Sequence, residues 1–144
     1  MEFVQIIRTG DSDSKGIRQF KSGMVGIAKG QTVRVSAVNT GLPSDEEEID
    51  PTISFGVWQN PSSELLAQTK IALKPGASGF LDVDFDTIRG HDTNRHQVRA
   101  VVTVANDPRS ICKVTLEVFH KVSGKTAVFT DIRESGAWQL VKTT

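Results

Sequence analysis

The amino-acid sequence predicts an all-β protein, folded as an antiparallel β-sandwich. Three observations carry the prediction. Val, Ile and Thr supply 39 of the 144 residues, and they fall into short runs of alternating polarity. Gly, Pro, Asn and Asp separate these runs about every ten residues, while helical periodicity is nearly absent.

The strands follow in chain order. Residues 3–7 form a candidate first strand, residues 10–16 a polar loop, and residues 24–27 open the sandwich proper. Residues 31–40 start after the turn Ala28-Lys29-Gly30 and place Val33, Val35 and Ala37 on one face, with Arg34, Ser36 and Asn39 nearer solvent or the strand end. Residues 52–59 turn Ile53, Phe55 and Val57 inward and stop at Asn60-Pro61, because proline cannot donate to a ladder. Residues 65–73 put Leu65, Ala67, Thr69, Ile71 and Leu73 on one side. The turn Lys74-Pro75-Gly76 then reverses the chain into residues 78–86, where Leu81, Val83 and Phe85 face away from Asp82, Asp84 and Asp86. These two runs read as a hairpin. Residues 97–105 carry Val98, Ala100, Val102 and Val104 inward, and residues 111–120 carry Cys112, Val114, Leu116 and Val118; they read as a second hairpin. Ser123-Gly124-Lys125 makes a tight connection to a strand at 126–130, and residues 136–142 offer an edge strand.

Composition bounds the function. A chain of 144 residues and 15.7 kDa fits one domain, 1–144, with its core at about 22–130. Leu, Ile, Val and Phe number 40 residues, enough to exclude wholesale disorder. Lys plus Arg equal Asp plus Glu at 17 each, so no global field favours nucleic acid or an anionic membrane. The single cysteine excludes an intrachain disulfide and a cysteine-based zinc cage. No run of 18 apolar residues is present, so no membrane insertion is expected and the chain reads as soluble. Its start lacks signal-peptide regions, but the compartment stays open: extracytoplasmic if a leader has been removed.

The series Lys-Gly-Gln-Thr-Val-Arg-Val-Ser-Ala-Val-Asn-Thr-Gly at 29–41, Leu-Lys-Pro-Gly at 73–76, Val-Arg-Ala-Val-Val at 98–102 and Ser-Gly-Lys-Thr at 123–126 resembles uncharacterised bacterial immunoglobulin-like domains. The resemblance spans about residues 22–130 and implies an immunoglobulin-like sandwich, often of exported proteins, and no chemistry. The chain has no Tyr for a tyrosine corner and no cysteine pair.

Several groups are candidates for binding or chemistry. Asp45, Glu46, Glu47, Glu48 and Asp50 form an acidic run that reads as a calcium loop, a solvated loop or a partner for Arg109. Asp82, Asp84 and Asp86 project from one strand face about 7 Å apart, a spacing that fits pairing with Lys or Arg on a neighbouring strand better than shared metal ligation. Asp11, Asp13 and Gly16 match the start of a calcium loop, but Ser22 stands where its glutamate belongs. His91, Asp92 and His96 are the candidates for metal or acid–base work, against simple loop solvation. His120 reads as a half-exposed packing residue. Cys112 reads as a buried small hydrophobe with a slow thiol. Trp58 and Phe119 lie out of phase with the core, and Trp138 lies near the C-terminus; such aromatics stack on sugars, anchor a partner or lie under the chain ends.

The expectation is therefore a non-catalytic protein-interaction or structural module without a cofactor. Self-association through residues 3–7 or 137–141 is one route to a homo-oligomer. The alternative is a carbohydrate-binding domain using Trp58 and Trp138, with calcium optional at the acidic run.

Overall fold

The computed structural model describes residues 17–43, 49–60, 63–89, 94–107 and 111–135. Among these residues nine strands occur: β1 Arg18–Lys21, β2 Val25–Ala28, β3 Gln31–Asn39, β4 Thr52–Asn60, β5 Glu64–Ala72, β6 Ser78–Asp84, β7 Arg95–Ala105, β8 Cys112–His120 and β9 Thr126–Ile132. One 3-10 turn, Phe85–Thr87, follows β6. No helix among the described residues is long and apolar enough to cross a membrane. The expected strands at 3–7 and 136–142 lie outside the described residues, as do the polar loop at 10–16 and its Asp11–Gly16 calcium motif.

All pairings are antiparallel. The first sheet runs β1-β7-β4-β5, with β2 also on β7, and the second runs β6-β3-β8-β9. The alternation read from the sequence decides which residues lie between them. Val33, Val35 and Ala37 of β3 are buried, as are Ile53, Phe55 and Val57 of β4, and Val98, Ala100, Val102 and Val104 of β7. Cys112, Val114, Leu116 and Val118 of β8 join them in one core. Each fully buried Val, Leu, Ile or Phe contributes roughly 1.5–3 kcal/mol relative to exposure, so these two inner faces hold the domain together.

Two expected hairpins are instead passages between sheets. β5 stays with β4, where Leu73 N–H donates to Pro51 O at 2.9 Å. The chain then turns at Gly76, whose φ of +83° is the left-handed region that glycine adopts at no steric cost. Past the turn β6 pairs with β3 in the opposite sheet. β7 and β8 also part company: β7 lies between β1 and β4, and β8 lies between β3 and β9. An alternating strand shows which side chains face the core, and both partners of a facing pair satisfy that pattern as well as two hairpin arms do.

Asp107 fixes the second passage. It is 2% exposed. Its Oδ1 accepts from Ile111 N–H at 3.0 Å, and its Oδ2 from Cys112 N–H at 3.1 Å and Arg18 Nη1 at 2.6 Å. Arg18 also donates from Nε to Glu134 Oε1 at 3.0 Å. One buried carboxylate thus joins β1 to the start of β8. The expected connection 123–125 does form a hairpin between β8 and β9, closed by His120 N–H to Lys125 O at 2.9 Å.

Asn39 departs from expectation in burial. It is 1% exposed and lies in phase with Val35 and Ala37. Its Nδ2 donates to Leu73 O at 3.0 Å and its Oδ1 accepts from Gly41 N–H at 2.8 Å, so the polar side chain is satisfied while it ties β3 to the β5–β6 passage.

Among the described residues every sheet border is interrupted. β9 and β5 shift register against their neighbours, at Val118/Phe119 and at Val57/Trp58. β1 and β2 are separated by residues 22–24, and β6 carries Asp82, Asp84 and Gly79. Bulges, breaks and charges are the devices that stop an edge from adding another strand.

Candidate functional site

The site is the solvent face of the four-stranded sheet. On β3, the residues between the core positions are Thr32, Arg34 and Ser36. Pairing sets Arg34 opposite Asp82 on one side and opposite Glu117 on the other, and Glu117 in turn opposite Phe129. The neighbouring rows are Phe80, Ser36, Thr115 and Asp131, then Asp84, Thr32, Phe119 and Thr126. Three phenyl rings and a line of charges therefore share one face.

Arg34 is its centre. The guanidinium donates to both oxygens of Asp82, Nε to Oδ1 at 2.7 Å and Nη2 to Oδ2 at 2.8 Å. It also lies over two rings, with Cζ 4.0 Å from the centre of Phe80 and 5.1 Å from that of Phe119. The hydrogen bonds to Asp82 push the pKa of Arg34 further above its ordinary value; burial opposes this, and the charges of Asp82 and Glu117 add to it. A planar cation held by a fork and stacked between rings is a rigid element on a surface.

The apolar parts remain uncovered. Phe80 is 54% exposed and Phe129 is 62% exposed. At one end of the face, Lys121 Nζ lies 3.3 Å from Asp86 Oδ2 and 3.6 Å from Asp84 Oδ2, while Thr32 Oγ1 donates to Asp84 Oδ1 at 2.6 Å. The hydrogen bond to Asp86 and the charge of Asp84 hold the Lys121 ammonium above its usual range. Asp82 thus pairs with Arg34 of the adjacent strand, as the alternate spacing predicts, whereas the strand ends at Asp84 and Asp86 lies in the 3-10 turn, where it shares Lys121 with Asp84.

The sequence-derived candidates are scattered. Phe119 lies on this face beside Arg34. Trp58 lies on the outer face of the other sheet, across from Arg99 and Leu65, and is half-buried. Arg99 Cζ stands 5.7 Å from its ring centre, and its Nε1 lies 3.4 Å from where a Cβ on Gly56 would be, so the indole rests over a glycine. Asp50 pairs with Lys74 Nζ at 3.5 Å. Trp138 and the residues Asp45, Glu46, Glu47 and Glu48 lie outside the described residues, as do His91 and Asp92. His96 is buried with its ring 4.9 Å from Phe85 and its Nδ1 3.2 Å from Gln59 Nε2. Among the described residues no group of three His, Cys, Asp or Glu is placed to hold a metal ion.

Arg34, Phe80 and Phe129 were the residues that sequence reasoning missed. A signal for Phe80 was present, since it alternates with the inward Leu81 and Val83. Phe129 was obscured because β9 is exposed on both faces up to Asp131 and shows no apolar alternation. No protein-family model, no curated protein and no solved structure matches this chain, so the face is read from its own residues.

Proposed function

We propose that this chain is a non-catalytic protein-interaction module that engages its partner broadside, through the outer face of the four-stranded sheet. The observation that carries the reading is the pair of more than half-exposed phenyls, Phe80 and Phe129, set on a sheet whose central Arg34 is already fixed by Asp82 and two rings. Exposed aromatics around an immobilised arginine are the composition of interface hot spots. Arg34 with Asp82, Thr32 with Asp84, and Lys121 with Asp84 and Asp86 are bound to one another, which builds a firm surface rather than a group poised for proton transfer. The interrupted borders favour docking on a face over strand addition.

The immunoglobulin-like reading belongs to the same proposal. From β3 to β7 the sheet memberships follow the B, C, C′, E, F order of that fold, with β3 beside β6 and β4 beside β7. β8 departs from it, lying beside β3.

Site-specific photo-crosslinking tests the reading. A benzoylphenylalanine at position 80 or 129 should give one discrete protein adduct in the native host cell, and the same group at Lys70, on the other sheet, should give none. Equal adducts from all three positions, or none from 80 and 129, would overturn it.

A second reading, carbohydrate binding at Trp58, draws on the indole resting over Gly56 on an outer sheet face. Saturable quenching of tryptophan fluorescence by a glycan, lost in Trp58→Ala, is its test.

A further inference from the structure

We infer that the outer face of the five-stranded sheet binds single-stranded nucleic acid, with a base stacked on Trp58 and phosphates held by Lys21, Lys70 and Arg99. The inference lies beyond the proposed use of the other sheet and does not depend on it. Equal totals of basic and acidic residues conceal an uneven division between the sheets. The strands of the five-stranded sheet contain Arg18, Lys21, Lys70, Arg95 and Arg99 against the single acid Glu64. Those of the other sheet contain Arg34 and Lys113 against Asp82, Asp84, Glu117 and Asp131.

Register brings these cations onto one face. Trp58 stands between Arg99 on β7 and Leu65 on β5; the next row is Lys21, Val101, Gly56 and Gln68, and the row after it Gln19, Thr103, Ser54 and Lys70. Alternation turns them away from the core, because Phe55, Val57, Ala100 and Val102 between them are buried. None of the residues in these rows is acidic. Glu64 lies opposite Gln59, whose side chain turns inward to His96. Glu134, beside β1, is held by Arg18, and Asp50, ahead of β4, pairs with Lys74. Lys21 and Lys70 are exposed and have no ion pair among the described residues. Arg95, which lies over Gly26, has an interaction of its own and is not counted.

The arrangement selects the class of occupant. Sheet spacings place Arg99 beside the indole, Lys21 about 8 Å from Arg99 and Lys70 roughly 15 Å from Trp58, a span of a few nucleotides. The half-buried indole rests over Gly56, with Arg99 Cζ 5.7 Å from its ring centre. Stacking on an aromatic ring accepts any base, and a neighbouring arginine adds cation–π attraction. Each unit of a single strand brings a phosphate and a flat ring together. A duplex hides its rings in the stack, while a lipid headgroup or a sulfated glycan brings charge without an aromatic ring.

The test uses the full chain and a fluorescein-labelled oligothymidylate of about 12 nucleotides, read by fluorescence anisotropy at low salt. Binding should be saturable and weaken with added salt, log K falling by about 2 per decade for three phosphates. Trp58→Ala should weaken it roughly tenfold, and Trp58→Phe, which keeps a ring, by less. Lys21→Gln and Lys70→Gln, both surface changes, should each weaken it roughly two- to fivefold and reduce the salt slope by about 0.7. Lys113→Gln, on the other sheet, should leave it unchanged. An abasic strand of the same length and charge should bind at least several-fold more weakly. Absence of binding at low salt, equal binding of the abasic strand, of a duplex or of heparin, or equal losses from Lys113→Gln and Lys70→Gln would overturn the inference. So would tighter binding to phosphatidylglycerol vesicles than to the oligonucleotide, which would make a lipid surface the occupant.

Discussion

Ile71 and Gly79 belong to different sheets, yet Ile71 Cδ1 fills the space that a Cβ on Gly79 would need. The side chain of one border strand is thus tucked into the other border strand, and this closes the sandwich on the β5–β6 side. Gly79→Ala should cost about 1 kcal/mol, because the isoleucine must move out of a packed position. In an Ile71→Val background, which removes the intruding methyl, the same change should become neutral or stabilising by up to about 0.5–1 kcal/mol through the lost freedom of the unfolded chain. Urea unfolding of the four proteins measures the coupling; additive effects would contradict the contact.

The buried carboxylate of Asp107 holds two backbone donors and Arg18 at once. Asp107→Ala leaves the two backbone donors without their acceptor and Arg18 with Glu134 alone, and should lower stability by about 3–5 kcal/mol. Asp107→Asn, which retains one acceptor oxygen, should lose less. Chemical denaturation checks the order, and an alanine variant within about 1 kcal/mol of the parent would refute the role.

Cys112 gives a dependence on pH. Burial first, and the neighbouring Asp107 second, push its thiol from 9.0 to about 11. The unfolded chain releases that proton at lower pH than the folded one, so stability is complete below pH 9 and declines as pH rises towards 11, by up to about 2–3 kcal/mol. Unfolding free energies at pH 8 and pH 10.5 should differ more in the parent than in Cys112→Ala. Labelling of the native thiol should keep pace with unfolding; fast labelling at pH 8 would contradict its burial.

Arg34 and Asp82 are each about one-third exposed at the side chain, so their pair is worth far less than its geometry alone implies. A double-mutant cycle with Arg34→Ala and Asp82→Ala should give a coupling of about 0.5–1 kcal/mol that falls with added salt. Arg34→Lys should not restore it, because an ammonium cannot stack between Phe80 and Phe119 while holding both oxygens. Full rescue by lysine would reduce the cluster to simple charge pairing.

The sequence made the inward face legible nearly residue by residue. Val35, Phe55, Val102 and Leu116 are all buried where their alternation places them. It did not reveal sheet membership, because β7 followed by β8 has the same pattern whether the two pair or face each other. Leu65 shows a second limit: the register shift near Trp58 carries it opposite the indole, away from the phase it shares with Ala67 and Ile71. Phe119 was found as an aromatic out of phase, but its meaning depended on Arg34 and Phe80, which are 85 and 39 positions away and meet it only through β3.

The interrupted borders bear on how the molecule associates. A chain this rich in Val, Ile and Thr holds the raw material of fibres, whose growth requires that every added subunit create a fresh edge for the next. Among the described residues, the register shifts of β5 and β9, the gap between β1 and β2, and the aspartates of β6 work against that recursion. On the proposed reading, contact falls to a bounded patch that, once occupied, templates nothing beyond itself, and a complex made there has a fixed stoichiometry.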